Sequence, residues 1–267
     1  MCGIAGYSLR TRSEIDRTLA AQALLAAIAE RGADAVGYAY RAPSDTHVTV
    51  VKQRTPASRL LDRMSVPAEA NQLLVHVRDY TKGPPSISAN NHPVQHGPIV
   101  GIHNGIILND DELLGCLDCA RAEPKMTVDS EAIFAIAAHS RNDPRALEEL
   151  RGAMASAWID QREQGAVFLA RGAGRPLWLG EGRESVFFAS TKTALEVVER
   201  YCGLKLRKSE VGEGTQLVLN DGAIVRKERF RPDAEYVEDN PLPSVRAPQE
   251  RDFCLSRLAL IATHQTI

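Results

Sequence analysis

From Ala153 to Lys227 the chain is a train of short apolar runs cut by turn signals, and this stretch constrains the fold more than any other. Strands are expected at Ala153–Asp160, Ala166–Ala170, Pro176–Leu179, Ser185–Ser190, Thr215–Leu219 and Ala223–Lys227. The turns between them are marked by Gly172-Ala173-Gly174, Gly180-Glu181-Gly182 and Asn220-Asp221-Gly222. The last is a strong hairpin signal, because Asp-Gly tolerates two successive left-handed residues. A single helix, near Thr191 to Arg200, interrupts the strands. The Gly-x-Gly at 172 leads into Arg175-Pro176 and not into a helix start, so a hairpin is expected there in place of a nucleotide loop.

The first half mixes both periods. Residues 2–10 alternate weakly and read as a strand. Ser13, with Asp16 three residues on, resembles an N-cap, and Ile15, Leu19, Leu24, Leu25 and Ile28 give the following segment a helical apolar face that should stop at Gly32. Strands are expected at Val36–Tyr40, Val48–Lys52, Leu73–Val77 and Ile99–His103. A second helix should cover Asp129 to about Ser140, and Pro144 can open a third. After residue 231 the chain becomes Pro-rich (Pro232, Pro241, Pro243, Pro248), as in a surface linker. Phe253, Leu255, Leu258 and Ile261 then allow a short amphipathic helix from Arg251 to about Thr263, which either packs back on the body or docks a partner. The division expected is a domain over residues 2–230 and a Pro-rich tail over 231–267.

Charge excludes some functions. The 32 Lys and Arg are offset by 34 Asp and Glu, so there is no global electrostatic case for nucleic acid. The basic run Arg226, Lys227, Arg229, Arg231 reads as a solvated strand end. No run of 18 apolar residues and no signal-like N-terminus is present, so neither a membrane association nor secretion is expected and a cytoplasmic location follows by default. Five scattered cysteines fit reduced thiols and not a disulfide framework. Cys116-x-x-Cys119 is half of a zinc pattern with no second half, on a segment that looks helical (Glu112 to Leu117).

The opening Met1-Cys2-Gly3-Ile4 carries the chemistry. Cys2 alone could be an ordinary small apolar residue at a strand start. Loss of Met1 would give it a free α-amine whose ordinary pKa near 7.7–8.0 suits a general base at neutral pH, so one residue would hold both nucleophile and base. Such a residue needs an oxyanion site. In His103-Asn104-Gly105, after an apolar strand, an amide side chain and a glycine N–H could converge as two donors, although Asn-Gly is also a plain turn signal.

Together these residues resemble the class II glutamine amidotransferases, which are N-terminal nucleophile hydrolases. The resemblance extends over Cys2-Gly3-Ile4-Ala5-Gly6, Arg31-Gly32-Ala33-Asp34-Ala35-Val36-Gly37, His76-Val77-Arg78-Asp79-Tyr80-Thr81-Lys82-Gly83, His103-Asn104-Gly105 and Asp129-Ser130-Glu131. It continues from Leu150-Arg151-Gly152-Ala153 through Pro176-Leu177 to Ala189-Ser190. The glutaminase domains of glucosamine-6-phosphate synthase and amidophosphoribosyltransferase look nearest.

The resemblance implies an α+β fold, a four-layer αββα sandwich, and hydrolysis of L-glutamine through a Cys2 thioester without cofactor or metal. It implies Asn104 and Gly105 as the oxyanion site, Arg78 and Thr81 on the substrate carboxylate, Asp129 on its ammonium, and Arg31 supporting the nucleophile's loop. From the residues alone, Arg78 could equally be a surface charge, Asp129 a helix N-cap and Arg31 a helix-dipole partner. His76 and His103 read as structural hydrogen-bonders.

No ammonia-accepting domain follows the pattern, so a separate synthase is the expected partner and a homo-oligomer is left open. Asp79, Tyr80 and Lys82 depart from the family pattern. They keep two alternatives in view: an amidohydrolase of another γ-glutamyl or small amide, and a non-catalytic regulatory module of the same fold.

Overall fold

A computed structural model of the chain describes residues 2–238 and 243–264. Met1, Pro241 of the Pro-rich run and the last three residues lie outside the described residues. In chain order the elements are β1 (Gly3–Leu9), α1 (Arg17–Ile28), β2 (Ala35–Arg41), β3 (Thr49–Gln53), β4 (Gln72–Arg78), β5 (Val94–His96), β6 (Ile99–Ile107), α2 (Asp110–Cys116), α3 (Glu131–Ser140), β7 (Gly152–Asp160), β8 (Ala166–Arg171), β9 (Trp178–Glu181), β10 (Ser185–Ala189), α4 (Lys192–Cys202), β11 (Arg207–Glu210), β12 (Thr215–Asn220), β13 (Ala223–Arg229) and α5 (Pro248–His264).

Among the described residues the strands form two antiparallel sheets, ordered β11-β9-β10-β1-β4-β2-β3 and β13-β12-β8-β7-β6-β5. Side chains alternate between the two faces of a strand, and β1 shows how this builds layers. Ala5, Tyr7 and Leu9 face α1, α4 and α5 in one apolar cluster, while Ile4 joins a second cluster between the sheets with Leu74, Val100, Ile102 and Leu169. A third cluster packs β6 and β7 against α3 through Ile99, Phe134, Ile133 and Trp158. Three apolar seams separate four layers, so the fold is the αββα sandwich.

Several expected boundaries move. Asp16, not Ser13, caps α1 by accepting from the Leu19 N–H at 2.9 Å. The helix stops at Ile28, followed by a 3-10 turn over Ala29–Arg31, and Gly32 continues in extended backbone. The helix expected from Asp129 begins at Glu131, and Pro144 opens a 3-10 turn capped by Asp143. The strand read from Pro176 starts at Trp178. β5 and β11 were not anticipated, being short and polar.

The glycine turn at 172–174 is no hairpin: β8 belongs to the second sheet and β9 to the first, so this loop crosses between sheets. Asp221-Gly222 does close a hairpin, with φ of 47° and 77°. The basic run at 226–231 lies on an exposed edge strand, with Arg226 paired to Glu228 and Arg231 to Glu148.

α5 packs back on the body. Its Cys254 and Leu258 are fully buried in the cluster that holds α1, and Glu250 binds Ser58 through its N–H and hydroxyl. No helix among the described residues is long and apolar enough to cross a membrane. Because Leu258 is part of the α1 core, Leu258→Ala should destabilise the whole chain by about 2–4 kcal/mol in urea unfolding. A midpoint equal to that of the unmodified chain would mean that α5 is only loosely attached.

Candidate active site

Strand parity brings the sequence-expected residues to one end of the gap between the sheets. In β4 the inward positions are Leu74, His76 and Arg78, and in β1 they include Ile4. The β1–β4 register pairs Ile4 with His76 and Gly3 with Val77, so Cys2 follows next to Arg78 at the strand end. From the facing sheet, β6 directs Val100, Ile102 and therefore Asn104 into the same gap. A hydrogen bond from His76 Nε2 to the His103 carbonyl, 3.1 Å, ties the two sheets together beside these residues.

Cys2 is half-buried, and its Sγ donates to the Asp79 carbonyl at 3.5 Å. Burial pushes its thiol up; the contact with Asp79 and the charge of Arg78 pull the other way less strongly. Arg31 is buried and donates from Nε to the Cys2 carbonyl at 2.8 Å, which fixes the backbone of Cys2 and not its sulfur. Gly32 lets this turn approach the next segment: a Cβ there would lie 2.4 Å from the Arg78 carbonyl.

Asn104 is fully buried, and neither its Oδ1 nor its Nδ2 has a hydrogen-bond partner. An orphaned buried amide costs about 1–3 kcal/mol for each polar group left unpaired, which calls for an explanation in function. Gly105 follows at φ 150°, where a Cβ would meet the Ala153 carbonyl at 1.9 Å, so only glycine fits. The Asn-Gly pair is therefore inside a strand and is not a turn.

Arg78 is buried and not a surface charge. Three of its donors go to Asn91 Oδ1 (2.7 Å) and to the carbonyls of Lys82 (2.9 Å) and Gly83 (2.5 Å). Asp34 holds the same loop from outside by accepting from the Tyr80 N–H at 2.9 Å. Thr81 lies exposed on the rim. Asp79 turns away from Arg78 to an ion pair with Arg246 (3.2 Å), and Lys82 turns to both oxygens of Asp110 (2.6 and 2.8 Å).

Asp129 is buried and does not cap α3; its Oδ2 accepts from the Ile107 N–H at 2.7 Å. Burial raises its pKa to about 6, partly offset by that hydrogen bond. Cys2, Arg78, Tyr80, Thr81, Lys82, His92, His103, Gly105 and Asp129 line one cavity of about 10 Å³, room for about one water. A far larger groove, about 720 Å³, opens beside Leu108, Arg151 and Tyr236, but it holds none of these groups.

Three histidines gather here. His103 binds Ser130 Oγ at 2.9 Å and the Ala153 carbonyl at 3.2 Å. His76 stacks on His92 with ring centroids 4.1 Å apart. Burial lowers His76 to about 3 and His103 to about 4, and holds His92 well below its ordinary value, so all three are neutral at pH 7.

Sequence reasoning singled out neither Asn91 and His92 nor Ser130 and Arg175. The first two fall outside the motifs, Ser130 has no assigned role within its motif, and buried Arg175 reads in the sequence only as a turn residue. Asp34 stands inside the Arg31–Gly37 motif without an assigned role. The Cys116/Cys119 pair sits at the end of α2, away from this cavity, with both thiols free.

Residues 85–197 match the model of the glutamine amidotransferase domain. This match identifies a class II glutamine amidotransferase domain in the chain. A glutamine–fructose-6-phosphate aminotransferase of Escherichia coli is 28% identical over 249 residues, covering 88% of this chain and 40% of that protein. The chain thus spans about two fifths of that relative.

Two solved structures share the fold. The glutamine phosphoribosylpyrophosphate amidotransferase of B. subtilis superposes with a TM-score of 0.68 at 19% identity, over 85% of this chain and 49% of that one. A class II glutamine aminotransferase domain protein of Silicibacter pomeroyi gives 0.55 at 16% identity, over 86% of this chain and 100% of that one. In this amidotransferase domain, as in those structures, the fold is that of the N-terminal nucleophile hydrolases.

The burial of Asp129 has a testable sign. Between the ordinary aspartate value of 3.8 and about 6 the folded state holds a proton that the unfolded chain has lost, so stability falls as pH rises through this window. Asp129→Asn keeps an acceptor for Ile107 and removes the titration. Relative to the unmodified chain it should gain about 2 kcal/mol in urea unfolding between pH 4 and pH 7.5. A stability difference that is the same at both pH values would refute this account.

Proposed function

We propose that the domain hydrolyses L-glutamine to glutamate and ammonia through a thioester on Cys2, and passes the ammonia to a separate synthase. The observation that carries the reading is the unpartnered Asn104 amide beside a strained Gly105 at the end of the gap where Cys2 begins β1. A fixed donor that nothing in the resting protein satisfies suits a charge that appears only in the transition state.

With Met1 removed, the Cys2 α-amine accepts the thiol proton as Sγ bonds to the carboxamide carbon. The oxyanion forms against Asn104 Nδ2 and the Gly105 N–H. Collapse breaks the C–N bond, the departing nitrogen takes the proton as ammonia, and water then cleaves the thioester to glutamate. The choice of base is supported by the surroundings: the buried histidines are too weakly basic, whereas an α-amine titrates near 7.7–8.0.

Arg78 and Thr81 receive the substrate carboxylate and Asp129 its ammonium. Arg31 acts by fixing the Cys2 backbone. Asp79 and Lys82, two of the departures that raised the alternative, are each engaged in an ion pair, with Arg246 and Asp110, and neither is paired with Arg78. The small cavity means that Tyr80–Lys82 must shift to admit substrate. Delivery of ammonia to a synthase is supported by the likeness to a glutamine–fructose-6-phosphate aminotransferase, whose name pairs glutamine with an acceptor.

The purified chain with Met1 removed should release glutamate from glutamine, and Cys2→Ala should abolish this. Asn104→Ala should lower kcat by about 10²–10³ with little change in KM. Intact-mass and glutaminase measurements decide it: a processed, folded chain that leaves glutamine untouched, alone or with a candidate synthase, would end the proposal.

A further inference from the structure

The segment just before α5 touches both elements that hold the nucleophile. Arg246 Nε pairs with Asp79 Oδ2 at 3.2 Å, and the Asp79 carbonyl is the acceptor for Cys2 Sγ. The N–H groups of Arg246 and Ala247 both donate to the Glu30 carbonyl, at 2.7 and 2.8 Å, and Arg251 binds the Glu30 carboxylate at 2.6 Å. Glu30 precedes Arg31, whose guanidinium fixes the Cys2 carbonyl. A further contact lies upstream, where Glu238 grips buried Arg175 through two hydrogen bonds of 2.6 and 2.8 Å. Arg175 lies within electrostatic reach of Cys2 and Arg31.

The docking of this segment does not depend on the Arg246 side chain. Buried Cys254 and Leu258 anchor α5 to the α1 core, and the backbone bonds to Glu30 hold residues 246–247. With the segment anchored independently, the guanidinium of Arg246 is available for its ion pair with Asp79. That neighbour opens the loop Asp79–Gly83, which is also tied through Asp34 to the Tyr80 N–H, through Asp110 and Asp111 to Lys82, and through Arg78 to the Lys82 and Gly83 carbonyls. The geometry points to Arg246 as a positioning residue for glutamine binding: through Asp79 it sets the resting place of the substrate loop beside Cys2. This rests on the glutaminase reading. It acts on the ground state of the loop and not on the reacting atoms, so it bears on KM more than on kcat.

The test uses the full chain with Met1 removed. Arg246→Ala and Arg246→Glu should change KM for glutamine by about two- to fivefold, the scale of a partly exposed ion pair, with kcat within about twofold. Arg246→Lys should restore most of the original KM. The KM of the unmodified chain should move toward that of the alanine variant as salt is raised. Asp79→Asn should shift KM in the same direction, and the double variant should add nothing further.

An independent readout is the rate of iodoacetamide alkylation at Cys2, resolved by peptide mass spectrometry, which should change in Arg246→Ala and return in Arg246→Lys. If the unmodified chain hydrolyses glutamine but Arg246→Ala leaves both KM and the alkylation rate unchanged, the positioning role is wrong. If the unmodified chain has no glutaminase activity, the functional reading fails, and the alkylation rates still decide whether Arg246 governs the surroundings of Cys2.

Discussion

Backbone pairing of β1 with β4 sets Gly3 opposite Val77 and so delivers Cys2 to the side of Arg78 at the open end of the sandwich. Both strands are buried on both faces, and each face has its own apolar commitments: Tyr7, Leu9, Leu73 and Val75 to the helices, Ile4 and Leu74 to the other sheet. A slip of one residue would exchange these sets and carry Cys2, His76 and Arg78 to the helical side. The apolar seams along the strands thus fix the register that the polar end requires.

That polar end is built against the trend of the rest of the molecule. His76 Nδ1, both nitrogens of His92, both polar atoms of the Asn104 amide and one Arg31 nitrogen are buried without partners, all close to the start of β1. Asp129 adds a carboxyl whose ionised form burial disfavours. Each feature lowers stability, and the three apolar seams offset it. Under the proposed glutaminase reading, a ligand bearing an ammonium group and a developing oxyanion satisfies groups that folding leaves unsatisfied.

Much of this was legible in the sequence for a physical reason. Strands punctuated by glycine turns and a cysteine at position 2 leave strong local marks. So does the Asp-Gly hairpin at 221–222. What escaped depends on partners distant in sequence. Cys2, Ile4 and Gly6 carry no alternation against Ala5 and Tyr7, because a strand buried on both faces has no polar side to display. The crossing of the 172–174 loop between sheets could not be told from a hairpin, since glycine marks the bend and not where it leads. Asp79 stands next to Arg78 in sequence, but Arg246, 167 residues further on, takes its carboxylate. Asn91 and His92 carry no local signal; only the folded loop brings them against Arg78 and His76.

Under the proposed reading, Arg78 links loop position to substrate binding. In the resting protein its guanidinium holds the Lys82 and Gly83 carbonyls, so the loop closes upon the very group proposed to receive the substrate carboxylate. A carboxylate is a stronger acceptor for guanidinium than a neutral carbonyl. Arrival of substrate can therefore draw donors from the loop to itself, releasing residues 82–83 at the moment when room is needed. Asn91 keeps the guanidinium oriented during this exchange from a segment outside the loop. The loop's outer ties to Asp34, Asp110 and Arg246 then limit how far it moves, which keeps Asp79 and its carbonyl beside the Cys2 thiol.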